Sequence, residues 1–179
     1  LKFGQRSFSF TPTYDIDMAF AHKGKGMGRT LGGFAKMLLK LDWKQAVQRI
    51  SVVAGFSKDP FNNFDLHFEM HKEMGLKPVY FVNLGDWSKY DKNASWKNPA
   101  LRTLLRSISE NAEIGIHPSY YSDVDPGKIA REKNRLEEII QKPVTKSRQH
   151  FLKLDFPDTY RNLIKNGIEE DYSNGFHSQ

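Results

Sequence analysis

Three places along the chain carry side chains whose types and spacing suit hydrolytic or metal chemistry. Asp15 and Asp17 stand two residues apart at the end of an alternating stretch. In an extended strand that spacing puts both carboxylates on one face, opposite Tyr14 and Ile16. Two such charges repel unless a cation or hydrogen bonds offset them. One can then act as a base while the other binds a metal; alternatively, one caps a loop and the other is solvated. His117 closes the short run Glu113–His117, ahead of Pro118-Ser119. A histidine there is either structural or a ligand. Arg148 and His150 again lie two apart. Arg148 can hold a carboxylate by a two-pronged contact and His150 can bind metal, unless the segment is an exposed edge strand.

The elements that must position these groups emerge from periodicity and from punctuation by glycine and proline. Ser7 to Asp17 alternates like a strand, and a glycine-rich loop, Gly24 to Gly33, leads to a helical stretch from Phe34 to about Arg49. Asp59-Pro60 opens a helix to Met74, ended by Gly75, and the apolar run Pro78–Leu84 is a buried strand. Pro99–Glu110 reads as helix, Glu113–His117 as strand and Asp125–Ile140 as helix. Val144–Leu154 is strand-like, Thr159–Asn166 helical, and Ile168 begins a last short strand. This β-α-β-α order predicts a parallel sheet or barrel with helices outside, and it places Asp15, Asp17, His117, Arg148 and His150 where strands end. Functional groups of such barrels gather there.

Composition narrows the chemistry. With 39% hydrophobic and 27% charged residues the chain reads as one globular domain, and none of its apolar runs approaches the ~20 residues that span a bilayer. Cysteine is absent, which excludes disulfides, a thiolate nucleophile and cysteine-ligated zinc, and slightly favours the cytoplasm. Any metal must use histidine, carboxylate and water. The formal charge is +6, without the motifs of a nucleic-acid reader. The chain opens on Leu1 without a signal-like segment, so its natural N-terminus is expected to have been removed or to lie upstream.

Thr13-Tyr14-Asp15-Ile16-Asp17 resembles the first motif of the NodB-type polysaccharide deacetylases (carbohydrate esterase family 4-like), in a D-x-D variant. Glu113–Ser119 resembles the second motif, with its final residues reading His-Pro-Ser. Gly75–Val82 is similar to the segment where a helix ends and the next strand brings paired aromatics. Arg148 is similar to part of the third motif, and the stretch Leu163–Ile168 before Asp171-Tyr172-Ser173 is similar to the segment downstream of that motif. The resemblance implies an α/β fold, a distorted (β/α) barrel. With five expected strands and 179 residues, against the at least ~200 of a closed barrel, the whole chain 1–179 would be one domain supplying the N-terminal two-thirds of that barrel.

The resemblance further implies a metal-dependent hydrolase that removes acetyl groups from an N-acetylated sugar or polysaccharide. Asp15 would be the catalytic base, positioned by Arg148; Asp17 and His117 would bind a divalent metal, usually zinc in this family. The second motif's last histidine would fall where this chain has Tyr121, and His150 is expected to replace it as third ligand. The late Leu-x-His motif does not occur, and His177 (GFHSQ) does not match it. Two rival readings stand beside this one. The first is a catalytically impaired carbohydrate-binding relative. The second is a phosphate- or nucleotide-binding α/β protein using the loop Gly24–Gly33, whose Gly24–Arg29 stretch matches no phosphate-loop pattern. His67 and His71, four apart on a helix, lack the glutamate and third ligand of a zinc helix; Trp87 and Tyr90 would either stack on sugar or pack in a loop.

Overall fold

The computed structural model of the chain describes residues 8–23 and 43–174. The loop Gly24–Gly33, the first part of the helix expected from Phe34, and His177 lie outside the described residues. Among the described residues, five parallel strands form one sheet in chain order: β1 Thr13–Ile16, β2 Val79–Val82, β3 Glu113–Ile116, β4 Lys146–Ser147 and β5 Glu170–Asp171. The helices are α1 Trp43–Val53, α2 Phe64–Glu73, α3 Pro99–Asn111, α4 Gly127–Ile140 and α5 Asp158–Lys165. Helix between consecutive parallel strands is the α/β arrangement expected from the sequence.

Burial explains why these segments take these forms. All four residues of β2, Val-Tyr-Phe-Val, are buried, as expected of a parallel strand covered on both faces. Helix α3 starts where the Asn98 side chain accepts hydrogen bonds from the N–H of Ala100 (2.9 Å) and Leu101 (3.1 Å), with Pro99 in the first turn. Its Leu101, Leu105 and Ile108 form a fully buried stripe. Each such side chain contributes about 1.5–3 kcal/mol, so the stripe outweighs the cap, which is worth about 1 kcal/mol. In α4 the stripe of Ile129, Leu136 and Ile139 contains a carboxylate, Glu132, as deeply buried as its apolar neighbours.

The register aligns the strand ends. Ile16 pairs with Val82, Val82 with Ile116, Ile116 with Ser147, and Ser147 with Asp171. The ladder continues one residue further. The N–H of Asn83 donates to Ile16 O, His117 to Val82 O, Arg148 to Ile116 O and Tyr172 to Ser147 O, at 2.8–3.2 Å. At Gly115 a Cβ would stand 2.5 Å from Lys146 O and 2.9 Å from the Phe81 ring, so only glycine lets β3 and β4 approach this closely.

Three elements differ from the sequence expectation. The first strand covers Thr13–Ile16 rather than Ser7–Asp17. The strand expected over Val144–Leu154 is only two residues long, because the chain turns at His150–Leu152, where Phe151 and Leu152 take left-handed backbone angles (φ 58° and 51°). Arg148 and His150 therefore do not share a strand face. The helix expected from Asp59 begins at Phe64, since Asp59 has another task. Its buried carboxylate accepts the N–H groups of Ala21 (2.7 Å), His22 (2.8 Å), Lys23 (3.0 Å) and Phe61 (3.1 Å). It thereby anchors the chain leaving β1.

Burial pushes the Asp59 carboxyl upward, but the N–H groups of Lys23, His22, Ala21 and Phe61 outweigh it and hold its pKa below the ordinary value. A lowered carboxyl pKa adds stability that is full above the unfolded pKa of about 3.9 and disappears as pH falls through the folded value. Asp59→Asn should therefore cost about 1–3 kcal/mol at neutral pH. Urea unfolding of both proteins between neutral and acid pH checks this: the gap should narrow on acidification, and a gap independent of pH would exclude the ionised anchor.

Candidate metal centre

At the carboxyl ends of the strands, three side chains bring ligand atoms together. His117 Nε2 lies 3.2 Å from Asp17 Oδ1, His150 Nδ1 lies 3.3 Å from the same oxygen, and the two ring nitrogens are 3.0 Å apart. Among the described residues this is the one group of three histidine, cysteine or carboxylate side chains converging in a way that could hold a metal ion. His117 and His150 are buried and Asp17 is half open to solvent. Tetrahedral zinc with bonds of about 2.0–2.2 Å holds its ligands about 3.3–3.5 Å apart, close to the spacing seen.

The ring orientations suit metal binding. His117 Nδ1 sits 2.6 Å from the Arg148 carbonyl, so it carries the proton and donates, which leaves the Nε2 lone pair aimed at the centre. On the far side of His150, Nε2 faces the Tyr90 carbonyl at 3.5 Å and Asp91 Oδ1 at 3.9 Å, which favours its Nδ1 as the ligand atom. Lone pairs converging from three groups repel unless a proton or a metal ion lies among them. The closeness of the two imidazoles, His117 first and then His150, outweighs burial and keeps the Asp17 carboxyl well below the usual carboxylate range. Burial disfavours charge on the His150 ring, but the hydrogen bond and charge of Asp17 prevail and raise its pKa above the ordinary value. The trio could hold a cation, and its donor set of one carboxylate and two imidazoles fits a divalent metal such as zinc.

Asp15 lies on β1, two residues before Asp17. Arg148 Nη1 donates to Asp15 Oδ1 at 3.1 Å, its Nη2 to Thr13 Oγ1 at 2.8 Å, and its Nε to the Tyr172 carbonyl at 3.1 Å. The guanidinium lies over the Phe81 ring, 5.0 Å from its centre. Three hydrogen bonds and an aromatic floor hold the guanidinium, which in turn holds Asp15 Oδ1.

Several supports had no clear sequence signal. Asp91 is buried and accepts from Asn83 Nδ2 (2.9 Å), Tyr120 N (3.0 Å) and Ser88 Oγ (2.7 Å). It binds the loop after β2 to the loop after β3, against His150. The available hint was the density of Asn, Asp and Ser between Asn83 and Asn93, directly after a strand end. Glu132 accepts from Ser119 N (2.8 Å) and Ser119 Oγ (2.5 Å). Burial raises its pKa against those two bonds. The serine of the His-Pro-Ser run is thus tied to α4 and fixes the chain just beyond His117. At Gly85 a Cβ would meet the Ser119 Cβ at 2.5 Å, so the two loops touch there.

The remaining sequence candidates fall elsewhere. Tyr121 packs its ring on Tyr120 (5.0 Å) and Tyr90 (6.0 Å). His71 is buried with Nε2 2.9 Å from the Tyr14 hydroxyl, and His67 lies against Tyr14 as well. Trp87 is largely exposed, whereas Tyr90 stacks on Tyr120 with ring centres 3.9 Å apart.

No family model matches the chain, and no curated protein matches it. Solved structures do. A protein assigned as a polysaccharide deacetylase from Mycobacterium smegmatis superposes with a TM-score of 0.55 at 15% identity, over 90% of this chain. IcaB from Ammonifex degensii gives 0.48 at 13% identity, over 90% of this chain and 82% of its own. The polysaccharide deacetylase of Bacillus cereus gives 0.44 at 11%, over 60% of this chain and 52% of its own. The chain spans 49% of the length of the M. smegmatis protein. At such identity the likeness speaks for the backbone alone: the chain has an α/β fold of the NodB deacetylase type.

Proposed function

We propose that residues 1–179 form a single domain, the N-terminal part of a NodB-type barrel, carrying the metal centre of a carbohydrate deacetylase. The observation that carries this reading is the convergence of Asp17, His117 and His150, with an arginine-held Asp15 two residues before Asp17. Asp17, His117 and His150 would hold a divalent metal, zinc for preference, leaving room for water and substrate. Bound there, the metal supplies Lewis acidity for an acetyl carbonyl and for water.

The chain's own residues account for the rest. Arg148 holds Asp15 by its Oδ1 and leaves Oδ2 to take a proton from the attacking water. The water oxygen bonds to the acyl carbon, the proton taken by Asp15 passes to the amide nitrogen as the carbon–nitrogen bond breaks, and the sugar leaves as the free amine with the acetyl group as acetic acid, which ionises to acetate. His117, held by the Arg148 carbonyl, and His150, backed by Tyr90 and Asp91, keep their rings from turning. The substrate would be an N-acetylated sugar or polysaccharide. Loss of catalysis with retention of sugar binding is the second reading, suggested by Tyr121 at the place of the second-motif histidine.

Metal content separates the two. Purified protein should take up about one zinc per chain. His150→Ala should lose it, Tyr121→Phe should keep it, and Asp91→Asn should weaken it by about tenfold or more. Competition with a chelator measures all three, and full zinc in His150→Ala would remove His150 from the site.

Acetate release from N-acetylglucosamine oligomers tests the base. Asp15→Asn and Arg148→Ala should each lower kcat by about 10²–10⁴ while zinc stays bound. Undiminished turnover in Asp15→Asn would assign the base elsewhere.

A further inference from the structure

A cleft of about 410 Å³ is lined by two of the candidate metal ligands, Asp17 and His150, and by the residues that follow them in the chain, Met18 and Phe151. Its size lies within the range of small-molecule pockets, roughly 300–1,000 Å³. Both followers are apolar and open to solvent, Met18 at 37% and Phe151 at 63%. Tyr90 adds a further wall: its ring stacks on Tyr120 and meets Phe151 edge-on at 6.0 Å. The backbone of Phe151, with that of Leu152, lies in the left-handed region, where a residue other than glycine is strained. Strain of this kind persists only where the surroundings impose it, and it clusters at ligand sites. Here His150 is buried against Asp17 while the next residue lays an aromatic ring along the cleft.

The polar side chains nearby are spent within the protein. Asn93 accepts from the N–H groups of Ala19 and Ala94 and donates to the Asn83 carbonyl. Asp91 is taken by Asn83, Ser88 and Tyr120. Apart from Asp17, no carboxylate, amide or aliphatic hydroxyl lines the cleft among the described residues. Lys89 and Lys92, which also line it, carry no hydrogen-bond acceptor. Sugar hydroxyls, each a donor and an acceptor, would find few partners there. A hydrocarbon chain needs none.

We infer that this cleft receives the acyl group of an N-acyl amino sugar, and that this group is an apolar chain of butanoyl to hexanoyl size rather than acetyl. The inference rests on the reading of this rim as a deacylating centre for amino sugars, and it adds the length of the acyl group. A chain entering from Asp17 and His150 meets Met18, Tyr90 and Phe151, surfaces that a methyl group leaves bare. Burying hydrocarbon against them is favourable in proportion to the area covered, and an unbranched methionine adapts its shape to what it meets.

The test titrates glucosamine carrying acetyl, butanoyl or hexanoyl on its nitrogen into the full chain by calorimetry, with zinc and again after chelation. Affinity should rise about two- to fourfold per added methylene in both states. Hexyl N-acetylglucosaminide, which carries its chain on the glycosidic oxygen instead, should gain nothing over the acetyl compound. Met18→Ser and Phe151→Gly, the second suited to the left-handed backbone, should flatten the series while thermal melting shows the fold kept. Met74→Ala, which trims an exposed methionine at the end of α2, should leave the series steep. Flat affinities in the unaltered protein, an equal gain from the hexyl glycoside, a series still steep in both folded cleft variants, or one flattened by Met74→Ala would each overturn the inference. A failed deacetylase reading appears separately, as no amine released from any member of the series while the chain-length dependence of binding stands.

Discussion

The rim depends on the last hydrogen bonds of a parallel ladder. Each strand hands its terminal carbonyl to the residue just past the end of the next strand: Ile16 to Asn83, Val82 to His117, Ile116 to Arg148, Ser147 to Tyr172. These residues belong to loops by position, yet their backbones are held as firmly as strand interiors, because a buried N–H left unpaired costs free energy. Side chains on such anchors need little further ordering to meet. The tight approach of β3 to β4 at Gly115 brings the His117 ring within reach of the Arg148 carbonyl.

Electrostatics then makes the arrangement conditional. A carboxylate and two imidazole lone pairs pointing at one place are unfavourable in a partly buried setting, and burial of charge without compensation is expensive. A shared proton relieves this, and so does a metal ion. The supports around the trio work by denying the rings an alternative. A backbone carbonyl takes the far nitrogen of His117, and Tyr90 with Asp91 faces the far nitrogen of His150. Asp91 itself is held by three donors from two loops, so the wall behind His150 is made of hydrogen bonds rather than apolar packing.

Much of this was legible in the residues. Alternation, glycine and proline marked the α/β order, and Asp15, Asp17 and His117 stood at strand ends because strand ends were readable. His150 was harder. It was expected on a strand face shared with Arg148, whereas it arrives by a turn after a two-residue strand, since the left-handed angles at Phe151 and Leu152 leave no mark in residue type. Glycine or asparagine would have signalled such a turn. Asp59-Pro60 looked like a helix start because aspartate before proline often is one. That aspartate instead reaches across to the N–H groups of residues 21–23, a long-range choice invisible to local pattern. Asp91 and Glu132 were hidden for the same reason: a buried carboxylate is spelled like a solvated one.

Arg148 joins groups far apart along the chain. Its partners on β1, Asp15 and Thr13, lie 133 and 135 residues away, while the Tyr172 carbonyl lies 24 residues ahead. Contacts of large sequence separation close late, because a long loop must first be gathered. Local units such as β3 with α4 can assemble before β1 and the segment after β5 are both in place. The guanidinium then finds its three acceptors only when the sheet is whole from one edge to the other. In this protein the orientation of Asp15 is therefore a record of completed folding, and a half-assembled chain carries its acid without direction.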